Sequence, residues 1–185
     1  AATINNVGNK IVYSSANADN RDFLPMNLKI GNSFTAKYDA YNKVTFSLDL
    51  QKLLVPTPQK IEKISSSETY VFGEPNNVGV IAGMLQSFGD APGELARDES
   101  DNFIPDGQGG YEIQKGSRLK EELSEINIAA GLEYWYNNVF AIRTGFFYEH
   151  PTKGNRQFIN FGAGLKYNKF GIDISYLAAL KRQNP

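Results

Sequence analysis

Long runs of strict period-two alternation constrain this chain more than any other feature. Apolar and polar residues that swap at every position mark a strand whose two faces meet different surroundings. In residues 43–52, Val44, Phe46, Leu48 and Leu50 share one face against Thr45, Ser47, Asp49 and Gln51. In residues 125–136, Ile126, Ile128, Ala130, Leu132, Tyr134 and Tyr136 oppose Asn127, Ala129, Gly131, Glu133 and Trp135. Residues 139–149, 158–167 and 170–176 alternate likewise, and residues 27–38 do so more weakly. A seventh strand is expected around residues 10–14.

Facing residues of a hairpin must lie on one side of the sheet, so parity restricts the turns. A two-residue turn at Asn168-Lys169 sets Tyr167 against Phe170 and Leu165 against Ile172, with Asn168 suited to the positive φ of a type I′ turn. The other two hairpins need odd loops. Tyr136-Asn137-Asn138 would pair Tyr134 with Phe140 and Leu132 with Ile142, with Asn138 left-handed. Ala40-Tyr41-Asn42 would oppose Phe34 to Leu48, with Asn42 left-handed. All three tight turns fall at one end of the expected sheet. The other end carries the link around residues 150–155 and a long segment over about residues 55–123.

Short turns at one end and long loops at the other is the outer-membrane barrel pattern, with the long loops extracellular. Tyr38, Tyr41, Tyr134, Trp135, Tyr136, Phe140, Tyr167 and Phe170 crowd the short-turn end, as an interfacial aromatic girdle would. Runs of ten residues or so suit tilted membrane strands. Mean hydropathy is −0.39, and the longest uncharged stretch, residues 75–89, is too short and Gly-rich to span as a helix. A barrel survives that test because its strands average out as mildly polar. A soluble sandwich or lipocalin-like barrel also alternates. Its strands are usually shorter, and the polar face here is small, Gly-rich and only partly charged: Lys29, Asp49, Glu133, Arg143, Lys166 and Asp173. The expected fold is therefore all-β, an antiparallel transmembrane β-barrel with these six residues facing the lumen. Six or seven strands cannot close a bacterial barrel, which uses eight or more. The expectation is about half of one, as a single domain over residues 1–185.

In the long loop, Asn76-Asn77 would cap a short helix with Val78, Ile81, Ala82, Leu85 and Phe88 on one side, stopped by Gly89. Residues 94–116 read as a flexible acidic excursion whose spacing matches no EF-hand. Glycines without a following Lys-Ser/Thr make no phosphate loop. A net charge of −1 gives no nucleic-acid footprint, and zero cysteines exclude disulfides and thiol chemistry. For catalysis the inventory is poor. His150, the one histidine, reads as a surface loop residue, and Glu121, Glu122 and Glu125 as a solvated charge run. Arg143 and Glu133 are expected to neutralise each other across the lumen. No enzyme, cofactor or metal site is expected. The apolar residues Phe88, Pro92, Phe103 and Tyr111, set among acids, are the expected partner contacts, with Asp90 and His150 beside them.

Several stretches carry a family resemblance. Asn6-Val7-Gly8-Asn9-Lys10-Ile11-Val12-Tyr13 and Phe23-Leu24-Pro25-Met26-Asn27-Leu28-Lys29-Ile30-Gly31 are similar to the PorV family of the type IX secretion system. Gln86-Ser87-Phe88-Gly89-Asp90-Ala91-Pro92-Gly93, Glu121-Glu122-Leu123-Ser124-Glu125-Ile126 and Gly131-Leu132-Glu133-Tyr134-Trp135-Tyr136-Asn137 continue it, as do Gly154-Asn155-Arg156 and Gly164-Leu165-Lys166-Tyr167-Asn168. The resemblance covers nearly the whole chain but only about the second, C-terminal half of the family's length. It implies a FadL-like barrel in the outer-membrane lipid that binds the giant translocon barrel SprA, also called Sov. It further implies receipt of cargo through C-terminal signal domains and transfer to machinery that includes the sortase PorU. A FadL-like channel for hydrophobic small molecules is the alternative, favoured little by the charged inward set. One departure stands out: in the family, Asp-Ala-Pro-Gly leads quickly into Glu-Glu-Leu, whereas here residues 94–120 intervene.

Overall fold

Each alternating run becomes a strand in the computed structural model, which describes residues 1–12 and 21–181. In chain order the strands are β1 (Ala2–Asn5), β2 (Asn27–Lys37), β3 (Asn42–Leu53), β4 (Lys60–Lys63), β5 (Thr69–Phe72), β6 (Ile126–Tyr136), β7 (Phe140–Tyr148), β8 (Gln157–Tyr167) and β9 (Phe170–Ala179). Two helices, α1 (Val80–Gln86) and α2 (Ser117–Ser124), lie between β5 and β6. No helix among the described residues is long and apolar enough to cross a membrane.

Seven strands form one sheet in the order β1-β2-β3-β6-β7-β8-β9, so chain neighbours are sheet neighbours once the β4–β5 hairpin is set aside. Every register resolved from β3 to β9 is antiparallel. The six long strands run 9 to 12 residues, the length a tilted membrane strand needs. Contacts divide the chain into two compact units. The sheet unit comprises Ala1–Thr3, Lys29–Lys52 and the chain from Ile126 onward; the loop unit comprises Ile4–Leu28 and Leu53–Glu125. Met26, Leu54, Phe72 and Leu95 are buried in the loop unit. The sheet buries almost nothing large. Phe46, Leu132, Ile142, Phe161, Ile174 and Tyr176 stand 46–71 % exposed on its apolar face.

Facing parity is preserved in all three hairpins, but the detailed register only in one. Tyr167 faces Phe170 and Leu165 faces Ile172, as expected. Asn168 alone takes positive φ there (55°), so the turn lacks the second left-handed residue of type I′. At the β6–β7 turn Tyr136, not Tyr134, faces Phe140. Asn137 and Asn138 are both left-handed (φ 50° and 54°) and Val139 N–H bonds back to the Tyr136 carbonyl, which moves the loop one residue on and the register by two. At the β2–β3 turn Asn42 is the first strand residue rather than a left-handed one. Asp39 accepts N–H bonds from Tyr41 and Asn42 and closes the turn itself. Thr35 then meets Thr45 at 2.8 Å, again a shift of two residues. The seventh strand is β1, not residues 10–14. Ile11 makes only an isolated bridge to Asp22, and residues 13–14 lie outside the described residues.

Candidate functional site

The polar face of the sheet is a charged network. Lys29 pairs with Asp49 at 2.7 Å. Arg143 donates from Nε to Glu133 at 2.6 Å and from Nη1 to Asp173. Glu133 and Arg143 are direct cross-strand partners, so they neutralise each other along the wall rather than across a lumen. Lys166 lies on the same face, opposite Gly171. Trp135 belongs here and not to the aromatic girdle: its ring takes the Arg143 guanidinium at 5.3 Å and the Lys43 ammonium at 5.4 Å. Beside the network runs a groove of about 440 Å³, lined by Ser47, Asp49, Gly131 and Asn160 and, on its apolar side, by Phe147, Phe158 and Leu177. Tyr38, Tyr167 and Phe170 stand on the other face near the tight turns, 75–78 % exposed.

The link after β7 is clamped by a buried carboxylate. Glu149 is 4 % exposed and takes a two-pronged bond from Arg156, both contacts at 2.7 Å. Gly154 sits at φ +130°, and a Cβ there would run into that carboxylate, so only glycine fits. The Arg156 side-chain bonds hold the Glu149 pKa below its ordinary value. His150 is half-buried rather than free at the surface: its Nδ1 contacts Thr152 Oγ1 at 2.9 Å and caps the 3-10 turn Pro151–Lys153.

In the loop unit, carboxylates tie loop amides together. Asp90, 2 % exposed, accepts the Thr57 N–H at 2.9 Å, and the Thr57 hydroxyl donates to Glu125 at 2.9 Å. Glu122 accepts the Ala91 N–H (2.8 Å) and Glu121 accepts both the Gly93 N–H (2.9 Å) and Lys60 (2.8 Å). Glu121, Glu122 and Glu125 are thus no solvated run at a strand start. α2 and its cap place them on one helix face, where Glu122 and Glu121 satisfy the Ala91 and Gly93 amides and Glu125 takes the Thr57 hydroxyl. Pro92, expected as an exposed anchor, is buried with Asp90.

The acidic excursion is ordered, and it has near-threefold internal symmetry. Ala96 N–H donates to the Glu112 carbonyl (2.8 Å), Glu112 N–H to the Ile104 carbonyl (2.9 Å) and Ile104 N–H to the Ala96 carbonyl (3.1 Å). Three peptide groups, each eight residues from the next, close a ring. The bridges Leu95–Ile113, Arg97–Phe103 and Pro105–Tyr111 repeat the relation. The leading residue of each period turns inward: Leu95 is buried, and Phe103 meets Tyr111 edge-on at 5.9 Å, which meets Tyr70 at 5.2 Å. Each of the first two turns is tied by an aspartate. Asp98 accepts from Ser100 and Asn102 N–H, Asp106 from Gln108 and Gly110 N–H. Those backbone bonds, from Asn102 and Gln108 foremost, lower both aspartate pKa values. The ends of this knob adjoin, with Glu94 N–H on Ser117 Oγ at 3.0 Å. That junction brings the two ends of residues 95–116 together at the base of the knob.

Of the expected partner contacts, Phe88 is 54 % exposed, Phe103, Tyr111 and His150 are half-buried, and Asp90 and Pro92 are interior. Among the described residues no three or more His, Cys, Asp or Glu gather as a metal group. The signal that sequence reading missed is the pairing of the Ala91 and Gly93 amides with a downstream Glu-Glu.

Residues 1–60 match the family model described as type IX secretion system protein PorV, which bears out the resemblance over about the first third of the chain. The matched stretch runs through β1, β2 and β3. No curated protein matches the chain.

Proposed function

We propose, from the PorV match over residues 1–60 as premise, that this chain forms wall and outer loops of an outer-membrane barrel serving type IX protein export without catalysis. The observation that carries the reading is that the PorV match falls on the first three strands of a sheet whose apolar face is turned outward. A sheet in lipid must pair its backbone internally and can leave large apolar side chains facing out. In this reading the six charged residues Lys29, Asp49, Glu133, Arg143, Lys166 and Asp173 face the lumen, and residues 55–123 form an extracellular excursion.

The chain binds a SprA-like translocon barrel, receives cargo by its C-terminal signal domain, and passes it to a PorU-like sortase. Contact runs through the loop unit and the His150 turn. Asp90 and Pro92 act from inside by holding the loop's shape, while Phe103 and Tyr111 stiffen the knob that presents its turns. A channel for hydrophobic small molecules is the second reading, favoured by the Phe147, Phe158 and Leu177 side of the groove.

Pull-down of the intact protein from detergent-solubilised outer membrane separates these readings. Recovery of a very large barrel together with secreted proteins is expected. Recovery of this barrel alone, with uptake of a hydrophobic solute that depends on it, would replace export by the channel.

A further inference from the structure

Both helices of the loop unit are inside out. A helix facing water buries its apolar stripe, yet on α1 the stripe is outward. Ile81, Leu85 and, just past its end, Phe88 are 66 %, 71 % and 54 % exposed, spaced four and three residues apart. The fully covered side is small: Ser87 is buried, Gly83 lies so close to Phe23 and Pro56 that a Cβ would collide with them, and Val80 and Met84 are only half-buried. α2 repeats the inversion. Leu119 and Leu123 are 65 % and 59 % exposed, while Glu121 and Glu122 turn inward to the Gly93 and Ala91 amides. The exposed residues beside Leu119 are Arg118 and Lys120, so the outward side of α2 is apolar with cations at its margin and its acids withdrawn.

We propose that α1 and α2 seat on the lipid interface of the membrane, with their leucines, Ile81 and Phe88 at the acyl boundary and Arg118 and Lys120 against anionic headgroups. This rests on the membrane reading above and assigns Phe88 to lipid rather than to a protein partner. Charge decides the occupant. Residues 75–89 around α1 hold no charged residue, and their exposed polar side chains are the neutral Asn76 and Asn77, which a headgroup layer accommodates. On α2 the rim is of one sign, the arrangement of helices that lie in a headgroup layer.

The chain has no cysteine, so Leu85→Cys and Leu119→Cys each accept one environment-sensitive fluorophore, with Glu99→Cys in a knob turn as reference. The full chain is reconstituted into vesicles of phosphatidylcholine and phosphatidylglycerol, with quencher carried either on the lipid or as aqueous iodide. Lipid-borne quencher should dim the labels at 85 and 119 several-fold more than the label at 99, with iodide showing the reverse. Dimming by iodide equal to that at 99 would overturn the proposal, because the helices would then face water. Shielding from both quenchers would overturn it too, because protein would then cover them. Flotation with the vesicles reports insertion separately: a chain that does not float defeats the membrane reading and this inference with it. Should labelling block folding, Phe88→Trp in a Trp135→Phe background, read with brominated lipid, asks the same question without a dye.

Discussion

The sheet unit and the loop unit meet one demand, paired backbone polar groups, by opposite means. Strand ladders satisfy the sheet's amides, which frees its side chains to suit the medium on each face. The loop unit has only short elements, so side chains share the pairing with scattered backbone bonds: Asp90 for Thr57, Glu122 for Ala91, Glu121 for Gly93, and Asp98 and Asp106 for their own turns. The difference teaches where each unit is vulnerable. On the proposed membrane reading, the sheet should be sensitive on its apolar face and tolerant on its polar face. The loop unit should be sensitive to single buried carboxylates.

The largest expected effect tests the wall. Phe46→Arg or Leu132→Arg near the bilayer midplane should cost about 2–4 kcal/mol in vesicle unfolding titrations. Ser47→Arg, on the groove side, should cost much less. Equal losses at Phe46 and Ser47 would mean that the two faces do not meet different media. Next comes Asp90→Ala, which strands the buried Thr57 N–H at about 1–3 kcal/mol. The damage should stay local, appearing as faster proteolysis within residues 54–93 while the unheated protein still migrates ahead of the boiled form. Asp90→Asn, which keeps an acceptor, should be milder. Loss of fast migration in Asp90→Ala would show that the two regions do not fail separately.

A smaller effect sits at the Glu149 clamp and depends on pH. A carboxylate whose folded pKa is depressed contributes stability above its unfolded value, here about 4.5, and loses it as pH falls through the folded pKa. Amide exchange in residues 149–156 should therefore be constant near neutrality and rise below about pH 4.5. In Glu149→Gln it should be raised already at neutral pH and lose that acid dependence. An unaltered profile would remove the clamp from the account. The smallest effect is excision of the knob. Because Glu94 and Ser117 already touch, replacing residues 95–116 by a two-residue Gly-Ser linker should leave the unfolding midpoint and gel migration unchanged. A midpoint shift like that of Asp90→Ala would make the knob part of the loop unit's core.

Much of the wall was legible because strand alternation has period two and needs no tertiary knowledge. The faces of β3, β6, β7, β8 and β9 followed from it, and so did the odd parity of the turns after β2 and β6. The registers of those two hairpins did not. A shift of two residues keeps every face, so hydrophobic pattern cannot detect it; Asp39 and the Asn137-Asn138 pair decide it through local hydrogen bonds and left-handed backbone. Arg143 and Glu133 were foreseen as partners, while Asp173 joined them only because β7 and β9 flank the glycines of β8.

By itself the sequence determined the six long strands, their two faces and the resemblance that the PorV match supports, since these depend on residue order within a few positions or on motifs kept in line. Only the tertiary structure decided what the loop residues do. Glu121 and Glu122 became amide acceptors, and Glu125 the acceptor of the Thr57 hydroxyl, because a helix formed 28 or more residues from the loop that Glu121 and Glu122 serve, as the Gly93–Glu121 bond shows. Leu95, Phe103 and Tyr111 converged because peptide groups eight residues apart closed on one another. Neither is written in a short-range period. Each depends on which distant amide lacks a partner, and that is settled only when the chain has come together.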